Sequence, residues 1–384
     1  MASYALALFY WGWLGDRVNS RNVLIIGMIG SAVMLILFGF VPKWRNFYSY
    51  WYYILIYILF ALFQACGWPN VIAIMGNWYS GSNRGFVMGI WCSCQAIGNI
   101  FSSLLIALIL PFGYEYTFLL NSSLMILVAL FVFLIENAPR RCSVPSFNNT
   151  HDEDSLNRTG RHLGLFEALL LPGVIPYSLC TACLKLVNYA FFFWLPLCLS
   201  ARFGWTEQSA NFLSIWFDIG GIIGSMLVGV ISDRCGCKSP IVVLILLCAI
   251  GALFLYTHVG GNVFVNALIM TFVGFTVSGP YNFIAATISI DLGSQPLFSS
   301  NAEAMATVSG IVDGIGSLSS AFGQLIIPLI EIRFGWDYVF YFFIILVILS
   351  IFPLLRQCFA DLKTFWMLHE EGANAQNETE PLLE

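Results

Sequence analysis

Long stretches without a charged residue alternate along this chain with short polar connections, and most are close to the length of a bilayer-crossing helix. Residues 1–14 are apolar but too short to cross. The runs Val23–Val41, Trp51–Tyr79, Gly85–Leu110 and Tyr116–Ile135 follow. A polar segment, 137–166, carries Arg140, Arg141, His151-Asp-Glu-Asp154, Arg158 and Arg161. Beyond it, Glu167–Arg202 encloses one charge, Lys185, and Gln208–Ser232 encloses one, Asp218. Ser239–Ile290 encloses none and divides at His258-Val-Gly-Gly-Asn262; Ala304–Ile330, with Asp313 inside it, and Tyr338–Leu355 complete the set. The runs are continuous rather than alternating, which excludes strands. Helices satisfy their own backbone in lipid, so the expected fold is an all-α membrane protein of about eleven spans, the first incomplete. The tail from Arg356 is polar and reads as mobile.

Composition agrees. The chain is 59% hydrophobic and 10% charged, against about 25% charged residues in soluble proteins. Its solvent is the lipid bilayer. The net charge of −5 and the lack of a basic stripe exclude nucleic acid as a partner. Most of the eleven cysteines lie inside apolar runs, and Cys180-Thr-Ala-Cys183 reads as packing rather than a redox pair. Cys235-Gly-Cys237 has no further ligand type nearby, so neither a metal nor a cofactor is expected. Eleven of the sixteen Lys and Arg residues fall in alternate connections on one side, which makes that side cytosolic.

Two echoes reveal a duplication. Gly12-Trp-Leu-Gly15-Asp16-Arg17-Val-Asn-Ser-Arg21 returns as Gly229-Val-Ile-Ser-Asp233-Arg234-Cys-Gly236-Cys-Lys238, offset by 217 residues. Phe112-Gly-Tyr-Glu-Tyr-Thr-Phe118 returns as Phe334-Gly-Trp-Asp-Tyr-Val-Phe340, offset by 222. Shifting the span near 174–200 back by the repeat length puts its counterpart before residue 1. The parent therefore has twelve helices in two six-helix halves, here without the first. The expected organisation is an N-terminal half over 1–136, a cytosolic linker over 137–166, a C-terminal half over 167–356 and a cytosolic tail over 357–384. Duplicated halves of this kind are frequent in secondary transporters.

The motif Gly-x-x-x-Asp-Arg-x-x-x-Arg between two spans resembles the loop signature of the major facilitator superfamily. Gly67-Trp68-Pro69, Gly76-Asn77-Trp78-Tyr79, Arg84-Gly85 and Gly89-Ile90-Trp91 resemble its organophosphate:phosphate antiporters. Leu184-Lys185-Leu-Val-Asn188-Tyr189-Ala-Phe-Phe-Phe-Trp194-Leu-Pro196, Ser214-Ile-Trp-Phe-Asp218-Ile-Gly220-Gly221 and Gly310-Ile-Val-Asp313-Gly look like the sugar phosphate exchangers, solute carrier family 37. The resemblance implies exchange of a phosphate-bearing anion against inorganic phosphate by alternating access. It also implies residence in the endoplasmic reticulum membrane, with the lysosomal membrane as an alternative, and leaves room for an accessory membrane subunit.

Lys185 is the sharpest single candidate. A charge at a helix centre costs about 2.5–3.5 kcal/mol on insertion scales, so it faces a partner or a wet cavity. A phosphate oxyanion suits an ammonium held away from water. Asn188 and Tyr189 lie on the same helical face. The competing reading is an ion pair with Asp218 or Asp313. The related antiporters carry an arginine on the first helix, which is absent here, and their cationic position on this helix aligns with Asn188. Gln95 and Asn99, four residues apart, can donate into a cavity or join helices. Tyr281 and Asn282, after Gly279-Pro280, sit where a broken helix would line a pathway. Asp218 and Asp313 adjoin glycines and read as structural or gating groups, with proton coupling as the runner-up.

In the repeated loop, Asp16 can accept from a neighbouring helix N-terminus, while Arg17 and Arg21 are expected to meet acidic groups. By resemblance, Gly12, Asp16, Arg17 and Arg21, with Asp233, Arg234 and Lys238, form a gating latch. Glu378, Leu382 and Leu383 resemble a dileucine sorting signal read by adaptors. Two other classes stay open. A membrane enzyme needs a catalytic cluster, yet His151, His162, His258 and His369 show no ligand spacing and no nucleophile motif is present. A shortened, non-transporting scaffold is the third reading.

Overall fold

The computed structural model describes residues 1–79, 84–134, 163–295 and 304–379. The greater part of the expected linker, 137–162, lies outside these residues, as do Leu382 and Leu383; Glu378 is described in its backbone alone. Fourteen α-helices are formed among the described residues: α1 (Ala2–Gly15), α2 (Ser20–Arg45), α3 (Tyr50–Gln64), α4 (Gly67–Trp78), α5 (Arg84–Ile109), α6 (Tyr114–Leu134), α7 (Leu165–Leu169), α8 (Val174–Phe203), α9 (Glu207–Cys235), α10 (Ser239–Thr257), α11 (Val263–Phe283), α12 (Ser289–Gly293), α13 (Met305–Phe334) and α14 (Trp336–Thr379). Each of the eleven apolar runs is helical where described. Among the described residues, nine spans are long and apolar enough to cross a membrane. The 14-residue α1 is too short, as the sequence indicates.

Local chemistry fixes the helix ends. The Asn19 side chain accepts from the Arg21 amide to start α2, and Thr206 accepts from Ser209 to start α9. α2 stops at Asn46, which adopts the left-handed conformation at φ 49, and α9 stops at Gly236 at φ 67. Lys43 and Arg45 in the last turn of α2 oppose its negative end. The run from Trp51 to Tyr79 is two helices, α3 and α4, parted at Ala65–Cys66 just ahead of Pro69.

Two expectations are corrected. The helix carrying Gly279-Pro280 is not broken there: Pro280 lies inside α11, and a π turn, Ile284–Ile288, follows before α12. The tail from Arg356 is helical, since α14 continues to Thr379. The reason lies partly in Asp361, which accepts from the Ser239 amide at 3.1 Å and the Ser239 hydroxyl at 2.6 Å, so the tail helix caps α10.

Contacts group the residues into two compact units, and each unit draws segments from both halves of the sequence. The first comprises Met1–Gly81, Cys94–Ser178 and Ile288–Ala321. Here α2 packs on α6, α3 and α4, and α1 packs on α3 and α4. Phe118 fills the groove at Gly39, and Phe38 meets Tyr53 edge-on and Phe118 at a tilt. The second comprises Ser82–Ser93, Leu179–Thr287 and Phe322–Glu384. Its centre is the crossing of α9 and α11. Gly220 faces the Thr271 carbonyl and Gly274 faces the Phe217 carbonyl, each so closely that a Cβ would collide with backbone. Small residues let helices approach closely where lipid supplies no hydrophobic drive. Phe191 of α8 stacks on Phe217 at 4.7 Å and touches Phe343 of α14 at 5.3 Å.

Gly220→Val should part α9 from α11 and cost about 1–3 kcal/mol, the usual range for overpacking. Thermal unfolding in detergent checks this. Gly251→Val, where an added Cβ meets nothing within 4 Å, should melt like the parent.

Candidate functional site

Two carboxylates are held in the same manner at the two copies of the repeated loop. Asp16, just past the end of α1, accepts from the Ala306 amide at 3.0 Å, the Thr307 amide at 2.7 Å and the Thr307 hydroxyl at 2.5 Å. Ala306 and Thr307 are the second and third residues of α13. Asp233, in the last turn of α9, accepts from the Gly85 and Phe86 amides, both at 3.0 Å. These are the second and third residues of α5. The first amides of a helix have no partner within it, and an anion placed there also meets the positive end of the helix dipole. Each aspartate therefore acts as a cap supplied by another helix.

Glycines one turn earlier make the approach possible. A Cβ on Gly12 would lie 2.6 Å from the Ala306 carbonyl oxygen and 3.0 Å from the Gly310 Cα. A Cβ on Gly229 would collide with the Gly85 carbonyl, and one on Gly89 would lie 2.7 Å from the Ser225 carbonyl oxygen. The Ser225 hydroxyl donates to the Gly89 carbonyl at 3.3 Å. The sequence does not announce these partners, because they offer backbone amides. One signal was present: Gly85-x-x-x-Gly89 and Ala306-x-x-x-Gly310 are small-residue pairs 221 residues apart, close to the second echo.

One of the two loop arginines departs from expectation. Arg17, expected to meet a carboxylate, lies 4.1 Å over the Trp13 ring. Arg21 donates from Nε to the Val132 carbonyl at 3.0 Å and from a guanidinium nitrogen to Phe133, at the C-terminal end of α6, where a cation is favoured. Arg234 is exposed and Lys238 occupies the cap position of α10. Beside it, burial first and the Asp361 carboxylate second push the Cys237 thiol up, so this loop cysteine is a poor nucleophile.

Of the substrate candidates, Lys185, Asn188, Tyr189, Tyr281 and Asn282 fall in the second unit, and Gln95 and Asn99 fall in the first. Lys185 is 1% exposed, with its ammonium 5.3 Å from the Tyr189 ring centre. The Asn188 amide donates to the Leu184 carbonyl at 3.0 Å. Tyr281 is buried one turn before the π segment, and the Asn282 carbonyl accepts from the Cys92 thiol at 3.7 Å. Gln95 is exposed and Asn99 partly so. Asp313 is 3% exposed in the first unit, whereas Asp218 is only partly buried in the second. Sequence reasoning missed Arg202, which pairs with Asp337 at 3.1 Å and donates to the Thr257 carbonyl, tying α8, α10 and α14 together at their ends.

The model of the Major Facilitator Superfamily matches residues 1–323. Sugar phosphate exchanger 3 of Xenopus laevis is 42% identical over 91% of this chain and 75% of its own length. Sugar phosphate exchanger 3 of Homo sapiens is 43% identical over 93% of this chain and 79% of its own. Putative glycerol-3-phosphate transporter 1 of Arabidopsis thaliana is 35% identical over 88% and 69%. Among solved structures, the proton:xylose symporter XylE superposes with a TM-score of 0.68 at 12% identity, over 93% of this chain and 85% of that one. The transporter FucP in its outward conformation gives 0.64 at 15% identity, over 95% and 87%. This chain belongs to the major facilitator superfamily, in the branch that holds the sugar phosphate exchangers. It is a multi-pass membrane transporter and not an enzyme.

Asp16→Ala should remove one helix cap at a cost of about 0.5–2 kcal/mol. Hydrogen–deuterium exchange at the Ala306 and Thr307 amides should then quicken by roughly 2- to 30-fold. The Gly85 and Phe86 amides, capped by Asp233, should keep their protection.

Proposed function

We propose that this protein exchanges a phosphate-bearing organic anion, a sugar phosphate or a close relative, for inorganic phosphate by alternating access. The observation that carries the reading is Lys185. It is a cation sealed inside a membrane span, on a helix whose spelling matches the sugar phosphate exchangers. The printed names of the relatives, sugar phosphate exchangers and glycerol-3-phosphate transporters, support the same substrate class. In the proposed site Lys185 binds the phosphate oxyanion, with Asn188, Tyr189, Tyr281 and Asn282 of the same unit as its polar surround; Gln95 and Asn99 on α5 are further candidates for contact with the substrate. The Asp16 and Asp233 caps serve as latches on the cytosolic side, together with Gly12, Arg17, Arg21, Arg234 and Lys238. Each latch joins helices from opposite halves of the sequence, so a cycle that moves one half against the other breaks both. Asp313, sealed beside glycines, is a structural or gating group.

The site of action in this reading is the endoplasmic reticulum membrane, with the lysosomal membrane as the alternative and Glu378, Leu382 and Leu383 as its address for sorting adaptors. An accessory membrane subunit is compatible with it.

Reconstituted vesicles test the proposal. Labelled inorganic phosphate should enter when glucose 6-phosphate or glycerol 3-phosphate is loaded inside, and should not enter empty vesicles. A hydrogen bond to a charged group is worth about 1.5–3 kcal/mol, so Lys185→Ala should slow exchange by roughly 10- to 100-fold. Exchange indifferent to that substitution would remove Lys185 from the site.

A further inference from the structure

A groove of about 490 Å³ lies between α9 and α11, inside the second unit and lined by none of the proposed substrate residues. On α9 it runs from Trp216 to Ile223, and on α11 from Phe264 to Phe275. The two helices run in the same direction, since Gly220 meets Thr271 and Gly224, one turn on, meets Phe275. The groove therefore lies toward the start of both helices, at the Asn262 cap and away from Asp233. Along α11 it covers roughly 17 Å, beginning at the second residue of the helix. The hydrocarbon of a bilayer is about 30 Å thick, so this is close to the depth of one leaflet. The spelling of α9 agrees: its opening turn, Glu207-Gln-Ser-Ala-Asn211, is polar, and Trp216 stands just over one turn beyond it.

The floor of the groove is fixed. Gly220 lies so close to the Thr271 carbonyl that a Cβ would collide with it, and Ala267 is buried. The one hydroxyl of the lining, on Thr271, is spent on the Ala267 carbonyl at 2.8 Å. The walls are aromatic: Trp216 on α9 and Phe264 and Phe272 on α11 are all exposed. The rings of Phe272 and Phe275 are 6° from parallel with centroids 6.3 Å apart, so their faces point the same way. One polar group stands at the mouth. Asn262 caps α11 by accepting from the Phe264 and Val265 amides at 3.0 and 3.3 Å. Its own amide NH2 makes no hydrogen bond among the described residues.

An apolar groove at this depth does not hold water, because nothing in it replaces water's hydrogen bonds. Its occupant is an apolar body drawn from the bilayer. A helix of a second copy is too large: a helix is 10–12 Å across, so a 17 Å length fills upward of roughly 1,300 Å³. An acyl chain enters but gains little, since it loses its freedom to bend when laid against a fixed wall. A fused-ring body has no such freedom to lose, and aromatic faces match its flat sides. A hydroxyl at one end of it would meet the Asn262 amide while the rings span the leaflet. Rigid, flat, one leaflet long and ending in a single hydroxyl describes a sterol.

We infer that the groove between α9 and α11 is a sterol-binding site, open to the leaflet at the Asn262 end. The rings lie between Trp216 and Phe272 over Gly220 and Ala267, and the sterol hydroxyl accepts from the Asn262 amide. A ligand that binds only the packed state stabilises that state by mass action. The sterol therefore holds α9 against α11, the crossing at the centre of the second unit. The inference is independent of which anion the protein carries.

The test uses the full chain in phosphatidylcholine nanodiscs that carry a cholesterol analogue with a photoactivatable ring. Labelling should fall on the peptides holding residues 216–223 and 264–275, saturate, and be competed by unlabelled cholesterol. Phe272→Ala removes one aromatic wall and should lower labelling by about tenfold or more. Ala267→Phe fills the floor and should do the same; if it does not fold, Phe272→Ala decides, since Phe272 is exposed. Phe352→Ala, which removes an exposed ring from α14, should label like the parent. Cholesterol should raise the melting temperature of the parent and leave that of Phe272→Ala unchanged. Labelling that ignores both groove variants, or that cholesterol does not compete, overturns the inference. So does phosphatidylcholine with a photoactivatable acyl chain, if it labels the same peptides and cholesterol does not displace it: the occupant is then an acyl chain. Labelling present in discs with one copy and lost in discs with two gives the groove to a second copy and overturns it as well.

Discussion

An α-helix begins with amide groups that no residue of its own can satisfy, and a bilayer has no water to satisfy them instead. This chain meets the need twice with a carboxylate from elsewhere. Asp16 takes the second and third amides of α13, and Asp233 takes those of α5. The bond is charge-assisted and lies along the helix dipole, so it is strong for its size. It also explains the spelling Gly-x-x-x-Asp. Four residues is one helical turn, so glycine and aspartate share a face. The glycine brings two backbones together, and the aspartate one turn on is then within reach of the amides. Neither residue accomplishes this alone.

The two caps are related by the duplication, but each crosses it. The motif in the first half holds a helix of the second, and the motif in the second half holds a helix of the first. The offsets agree: Asp16 and Asp233 differ by 217, while the amides they bind, Ala306 and Gly85, differ by 221. The contact units follow the same exchange, since α13 begins in the unit built on α1 to α4, and α5 begins in the unit built on α9 and α11. A duplicated chain that traded partners in this way can use one contact twice. Its two caps then have equal chemistry, a carboxylate on the second and third amides of a helix.

Much of this was legible from residues alone. Scarcity of charge over a bilayer's length, at most one inside a run, marked the long helices, because burying an unpaired charge in lipid is costly. The repeated Gly-x-x-x-Asp pointed to a helix cap, but not to which helix, since Ala306, Gly85 and Phe86 contribute peptide groups that any side chain would leave unchanged. Arg17 misled for a related reason: it found an indole ring, which a search for acidic partners does not detect. Pro280 suggested a break, but α11 packs on α9 and runs on through Pro280 to Phe283. The helical tail depended on Asp361 meeting Ser239, a contact between residues 122 positions apart.

The charges inside the spans pose a sharper question than the caps do. Lipid penalises each of them, so each must be retained for a compensating interaction. For Lys185 the Tyr189 ring supplies part of that compensation, though a cation over a ring recovers only about 0.5–2 kcal/mol of a larger cost. Asp313 is sealed among glycines, where tight packing excludes water and fixes whatever contact it makes. Asp218 divides differently: its neighbour Phe217 is packed between Phe191 and Gly274, which fixes the backbone there, while Asp218 itself is only partly buried. The packing at this point therefore acts on its neighbours and does not by itself offset the charge.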